Sequence, residues 1–189
     1  VCADAEHSWY FPFRHEAGAS QNLDPHHTLA WLKDTLETDI PKIGANLIYD
    51  IGWLAAEGID VGGQLLDVQY AEALLSEDKT VALDDLASRY LKKHKSSGDL
   101  YAWCAQMYGG ATTDKQRANI YKAPPNIVGP YAESDGYLPF QILPKQIKRL
   151  KKQNLLELFH RECKLIRLLI EMRFKGVRVD IDRAEQLYD

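Results

Sequence analysis

The chain has 189 residues, 46% of them hydrophobic and 26% charged, with a formal net charge of −4. That length suffices for one sizeable core, or for one domain plus an appendage, and no apolar run approaches the roughly 20 residues of a membrane span. The acidic balance argues against a protein whose main task is coating nucleic acid, and leaves open a metal-dependent nuclease whose ions offset the phosphates.

The opening reads as a hairpin: residues 1–3 are apolar, 4–8 polar and 9–13 aromatic. Residues 16–27 form a loop containing Gly, Ser, Asn and Pro. The spacing of Leu29, Leu32 and Leu36 predicts a helix over 28–38, capped near His27 or Thr28. A short apolar segment over 42–49 runs into a helix over 50–57 that Gly58 ends. Residues 59–66 are strand-like, with Gly62-Gly63 as a turn. Helices over 67–75 and 83–93 follow, the second started by Asp84 and Asp85. The least regular stretch, 94–125, holds an aromatic helical piece over 100–108, a break at Gly109-Gly110 and a stop at Pro124-Pro125. Pro130 opens a helix carrying 131–137, which Pro139 and Pro144 bend or end. From 145 to 173 a long helical pattern places Leu155, Phe159, Ile166 and Ile170 on one broad face. Lys175-Gly176 ends it, Val177 and Val179 suggest a short strand, and a last helix starts over 183–188. This order predicts an α/β domain with a helical extension.

Cys2, Cys104 and Cys163 form no CxxC pair and suit a reducing compartment, the cytoplasm. The adjacent His26 and His27 lack zinc-ligand spacing. A chain that starts at Val1 with no signal-peptide pattern is expected to be processed or a fragment.

Two segments carry the chemistry. Asn46-Leu47-Ile48-Tyr49-Asp50 lies at a strand-to-helix junction, where α/β proteins tend to build sites. Tyr131 and Asp135 are four apart on a helix and share a face. Two carboxylates drawn together from such distant segments repel unless a cation sits between them, and oxygen-only ligation suits Mg²⁺ or Mn²⁺. Each residue also has a plain reading: Asn46 as a turn former, Asp50 as a helix cap, Tyr131 as a half-buried aromatic, Asp135 as a solvated charge. The case rests on both motifs occurring together and in order.

Lys42 to Leu91 resembles the exonuclease domain of bacterial DNA polymerase I and its phage relatives, in DNA polymerase family A. The resemblance rests on Asn46 to Asp50, the Asp-led helix Asp67-Val68-Gln69-Tyr70-Ala71-Glu72, and Leu83-Asp84-Asp85-Leu86-Ala87 with Tyr90-Leu91. Tyr131 to Asp135 resembles the third motif of the tyrosine subtype of DEDD exonucleases, and Trp9 to His15 a second hairpin strand. Met172-Arg173-Phe174-Lys175-Gly176-Val177-Arg178-Val179-Asp180 resembles the opening of a polymerase domain.

The resemblance implies a ribonuclease H-like fold, a mixed sheet flanked by helices that lacks its first strand, with a C-terminal helical extension. Residues 1–144 would form the 3′→5′ exonuclease domain, and 145–189 the helical connection and start of the thumb. It implies two divalent ions, Mg²⁺ or Mn²⁺, held in part by Asp135 and Asp50, with the Tyr131 hydroxyl orienting the attacking water. Asn46 and Tyr49 would contact a single-stranded DNA 3′ end, and a polymerase domain would follow as partner. Tyr49, Trp53 and Phe140 are open to base stacking or to core packing. Lys145, Lys148, Arg149, Lys151 and Lys152 are open to phosphate contact or to a solvated helix face.

One departure limits the resemblance. The family's first acids form an Asp-x-Glu pair followed by Thr and Gly, and Asp4-Ala5-Glu6 is followed by His-Ser-Trp. It sits in the polar gap of the expected hairpin, so Asp4 and Glu6 are not read as that pair, which by register lies upstream. The chain alone is then expected to show little or no exonuclease activity. Two other readings compete. A stand-alone DEDD exonuclease acting on RNA or DNA would carry a helical RNA-binding module in place of the thumb-like 172–189. An inactive scaffold would have lost the acids that Asp50 and Asp135 retain.

Overall fold

The computed structural model describes residues 7–188. Strands β1 (Lys42–Gly44) and β2 (Leu65–Asp67) pair in parallel, with Lys42 opposite Leu65 and Gly44 opposite Asp67. A parallel pair needs a crossover, and helix α2 (Leu47–Ala56) supplies it. Among the described residues these two strands are the whole sheet, so they do not form the fuller mixed sheet expected from the resemblance. The rest is mainly helical, and the class is α/β with a small parallel sheet.

The expected hairpin is not seen. Residues 1–3 lie outside the described residues, and 9–13 are not a strand. That segment is tied down by isolated side-chain and backbone contacts instead. His15 is buried, its Nδ1 lies 2.8 Å from the Ala123 carbonyl oxygen, and its Nε2 pairs with the Tyr10 hydroxyl. The Leu23 N–H donates to the Pro12 carbonyl at 2.7 Å.

Helix α1 (Pro25–Leu36) begins before the expected residue 28, because Asp24 caps it. The Asp24 carboxylate accepts the His27 N–H at 2.8 Å, and Pro25 supplies a preset φ in the first turn. Ile59 and Val61 are buried but in no strand, so of the strand-like run only the end forms β2. Gly62 and Gly63 pass close under the chain that leaves α1. A Cβ on Gly63, at φ 72°, would lie 2.3 Å from the Ile40 carbonyl oxygen.

Helices α3 (Val68–Leu75), α4 (Leu83–Leu91) and α5 (Gly98–Tyr108) follow the sequence reading closely. Helix α6 (Pro125–Lys152) does not. The Pro124-Pro125 pair starts it rather than stopping a preceding helix: Pro124 is the N-cap and Pro125 lies in the first turn. Pro130, Pro139 and Pro144 all lie inside the continuous helix. Each interior proline costs about 3 kcal/mol or more in an unsupported helix. Burial of Val128, Leu138, Ile142, Leu143 and Leu150 on the same helix offsets that cost.

The expected long helix over 145–173 is two. α6 ends in a Schellman turn, with Asn154 at φ 57°, its N–H bonded to Lys151 O at 3.2 Å and Leu155 N–H bonded to Leu150 O at 2.9 Å. Helix α7 (Leu156–Lys175) then runs to Gly176. Val177 and Val179 are exposed and form no strand, and helix α8 (Ile181–Tyr188) follows. The expected division between 144 and 145 falls within α6.

One core joins the sheet to its helices. α6 packs on β1, α3 and α4, and α7 packs on β2, α2 and α3 through Phe159, Cys163, Ile166 and Ile170. A smaller cluster joins α5 to the start of α6 through Leu100, Cys104, Ala123 and Val128. Glu72 of α3 is fully buried in the main core and holds three elements together. It accepts from Arg89 at 2.6 Å, from the Tyr90 hydroxyl at 2.6 Å and from Gln146 Nε2 at 3.1 Å. Among the described residues no helix is long and apolar enough to cross a membrane.

Candidate active site

Both strands end at the same edge of the sheet, and one buried carboxylate organises that edge. Asp67, the last residue of β2, accepts the Gln69 N–H at 2.8 Å as the cap of α3. It also accepts the Leu47 N–H at 2.7 Å, in the first turn of the neighbouring α2. Burial pushes its pKa up, and these backbone donors oppose the rise. Asp67 thereby fixes the turn at Asn46, which is left-handed at φ 63° and is the N-cap position of α2. Asn tolerates this conformation better than most residues. Asp50 therefore lies in the first turn, not at the cap, and the cap reading of Asp50 does not hold. Asp67 carried part of the resemblance but was given no role in the site.

Asp50 lines a cleft of about 2030 Å³ that α6 also lines. Tyr131 and Asp135 of α6 line the same cleft. The two motifs, distant in sequence, are thus brought together. Asp50's carboxyl pKa is pushed up to about 6, first by loss of water around it and then by the charges of Asp135 and Asp67. Loss of water also raises Asp135, and Lys95 pulls it back. Tyr131 is held well above the usual phenol range by burial and by the Asp135 charge, so its hydroxyl keeps its proton.

Lys95 was not singled out from the sequence. Its Nζ stands 2.5 Å from Asp135 Oδ1, 3.4 Å from the Tyr131 hydroxyl and 4.4 Å from the centre of the Tyr131 ring. Arg117 also lines the cleft, and the Tyr101 ring packs against Tyr131 from behind, ring centres 6.2 Å apart. Nothing in the spacing marked these residues, since Lys95 lies in the basic run Lys92-Lys93-His94-Lys95 and Arg117 in a 3-10 turn. Tyr49 and Trp53 line the cleft and are exposed, with ring centres 6.3 Å apart; Phe140 is half-buried at its edge. The stacking reading therefore suits Tyr49 and Trp53 better than core packing.

The donor set fits a hard divalent cation. Asp135 Oδ1 is buried without a hydrogen bond of good geometry, and a lysine ammonium stands beside it. Asp50 supplies a second carboxylate whose ionisation a cation would favour. Asp4 and Glu6 lie outside the described residues.

Other expectations resolve differently. The side chains of Lys145 and Arg149 make contacts within the protein, to the Tyr90 carbonyl at 2.6 Å and to the Tyr90 hydroxyl, respectively. None of Lys145, Lys148, Arg149, Lys151 and Lys152 lines the cleft, so phosphate contact there is not their arrangement. His26 and His27 do have an acidic neighbour. Their ring nitrogens and the Asp24 carboxylate lie within 4.8 Å of one another, all three exposed and outside the cleft. Asp24 is already engaged as the α1 cap.

A sequence-family profile described as 3′-5′ exonuclease matches residues 7–151. A DNA-directed DNA polymerase of Pseudomonas phage M6 is 33% identical over 182 residues, covering 94% of this chain and 26% of that protein. DNA polymerase DpoZ of Acinetobacter phage SH-Ab 15497 is 31% identical over 159 residues, covering 82% of this chain and 25% of that protein. DNA polymerase I of Synechocystis sp. is 29% identical over 181 residues, covering 94% of this chain and 17% of that protein. The chain thus spans about a quarter or less of the length of these relatives.

Proposed function

The chain belongs to the 3′-5′ exonuclease domain family of family A DNA polymerases, and from that premise we propose that it is the proofreading exonuclease region of a DNA-directed DNA polymerase. The observation that carries the reading is the convergence of Asp50, Tyr131 and Asp135 in one cleft beside exposed Tyr49 and Trp53. The substrate is a frayed single-stranded DNA 3′ end, and the products are deoxynucleoside 5′-monophosphates. The polymerase domain of the same parent chain is its partner, and the cytoplasm its compartment. The fold is of the ribonuclease H-like kind, with 1–144 as exonuclease domain and 145–189 as the connection to the thumb.

Asp50 and Asp135 hold divalent ions, Mg²⁺ or Mn²⁺. When bound, such ions lower the pKa of a water, stabilise the leaving 3′ oxygen and offset the phosphate charge. The Tyr131 hydroxyl, which keeps its proton, donates to the attacking water and orients it rather than acting as its base. Asn46 and Tyr49 support the bound strand, Tyr49 and Trp53 offering faces for unpaired bases. Arg117 and Lys95 place positive charge along the same wall, where a phosphate backbone would run.

The test is release of label from a 3′-labelled single strand by the natural chain that carries this sequence, with Mg²⁺ or Mn²⁺. Tyr131→Phe is expected to slow release about 10²-fold, comparable with loss of one aligned hydrogen-bond donor. Glu6→Ala is expected to leave the rate unchanged. Release abolished by Glu6→Ala but untouched by Tyr131→Phe would contradict the assignment.

A further inference from the structure

Lys95 is built into the site with more care than a solvated lysine needs. It lies on the loop between α4 and α5, and that loop is pinned on both sides. The Lys95 N–H donates to Asp84 Oδ1 at 2.7 Å on α4. The Ser96 N–H donates to Ser134 Oγ at 3.4 Å on α6, and Ser134 is buried between Tyr131 and Asp135 in sequence, bonding back to the Tyr131 carbonyl at 2.7 Å. The Lys95 side chain is only 15% exposed. Its ammonium touches the two functional groups of α6 at once, the Asp135 carboxylate and the Tyr131 hydroxyl and ring.

Asp135 Oδ1 is buried with no hydrogen-bond partner of good geometry, and the ammonium stands directly against it. An ion bound by that oxygen and a lysine 2.5 Å from it compete, because both are positive and both seek its lone pairs. We propose that Lys95 is an internal placeholder cation: it neutralises Asp135 and steadies Tyr131 in the ion-free site, and a divalent ion binds only by displacing it. The inference rests on the reading of Asp50 and Asp135 as the cation site. Lys95 is in this sense a positioning residue. Without it, the paired carboxylates of the ion-free cleft would face each other with less opposing charge. With it, ion affinity is lowered, and the displaced ammonium is left beside the cleft that receives the phosphate.

The test is a Mn²⁺ titration of the natural chain that carries this sequence, by calorimetry or by electron paramagnetic resonance of free Mn²⁺, with no substrate and no activity readout. Lys95→Met is expected to bind Mn²⁺ about tenfold more tightly than the unaltered protein, within the usual range of coupling between two sites. Lys95→Arg, which keeps the charge, is expected to bind no more tightly than the unaltered protein. On the unaltered protein, the side-chain resonances of Lys95 are expected to shift in step with Mg²⁺ binding, a readout that does not depend on any variant folding. Saturable binding that Lys95→Met leaves equal or weaker, or a Lys95 resonance unmoved at saturating Mg²⁺, overturns the placeholder role alone. No saturable binding in any of the three proteins overturns the cation-site reading, and this inference with it.

Discussion

Asp135→Asn, in the natural chain that carries this sequence, is expected to lower mononucleotide release from a 3′ end by about 10³-fold or more. The substitution keeps the side-chain shape and removes the charge. A bound divalent ion contributes several kcal/mol to such a reaction, and about 1.4 kcal/mol corresponds to a factor of ten in rate. Asp135 is suited to carry that contribution because its Oδ1 is buried and its available partner is a cation. Loss of the ion, not of the fold, would be the cause. Asp135→Asn removes one like charge from beside Asp50 but unpairs Lys95, whose side chain is only 15% exposed, so rates are compared at equal folded fraction. A rate within tenfold of the unaltered protein, at equal folded fraction, would assign the chemistry elsewhere.

Glu72→Ala has the largest expected effect on stability. It removes the acceptor at the centre of a fully buried network and leaves Arg89, Tyr90 and Gln146 facing an empty site. Arg149 stands 3.9 Å away and loses its countercharge as well. Breaking a buried ion pair from one side costs about 3–5 kcal/mol, because the remaining partners stay desolvated. For a chain of this size that corresponds to a fall of roughly 10 °C in unfolding midpoint. Arg89→Ala should cost less, since Arg89 is part-exposed and water can reach the gap it leaves. Urea unfolding of the two variants checks both statements, and a loss under about 1 kcal/mol for Glu72→Ala would show the network to be dispensable.

The α2 crossover and helices α3, α4 and α5 were legible because each has a local cause: apolar spacing, an acidic first turn, or a glycine past the end. The α6 wall of the cleft was legible for a narrower reason, since an i, i+4 pair needs only a helix to share a face. What was not legible depended on partners far along the chain. Asp50 reads as a cap until Asp67, across the sheet, is seen to satisfy the start of α2. The prolines of α6 read as breaks until its buried face is seen to hold the helix together. Asn154 was a missed local signal, since a left-handed Asn after a basic turn is a known way to end a helix. Lys95 had no such signal, because its role comes from a loop fastened to Asp84 and Ser134 rather than from its neighbours in sequence.

The central claim is that Asp50 and Asp135 share a divalent-cation site. The most direct measurement is the map of paramagnetic broadening that Mn²⁺ produces on the amide resonances of the folded protein. The account predicts broadening centred on Asp50, Tyr131 and Asp135, and its loss in Asp135→Asn. Broadening centred on the exposed Asp24, His26 and His27, with the cleft residues untouched, would contradict it.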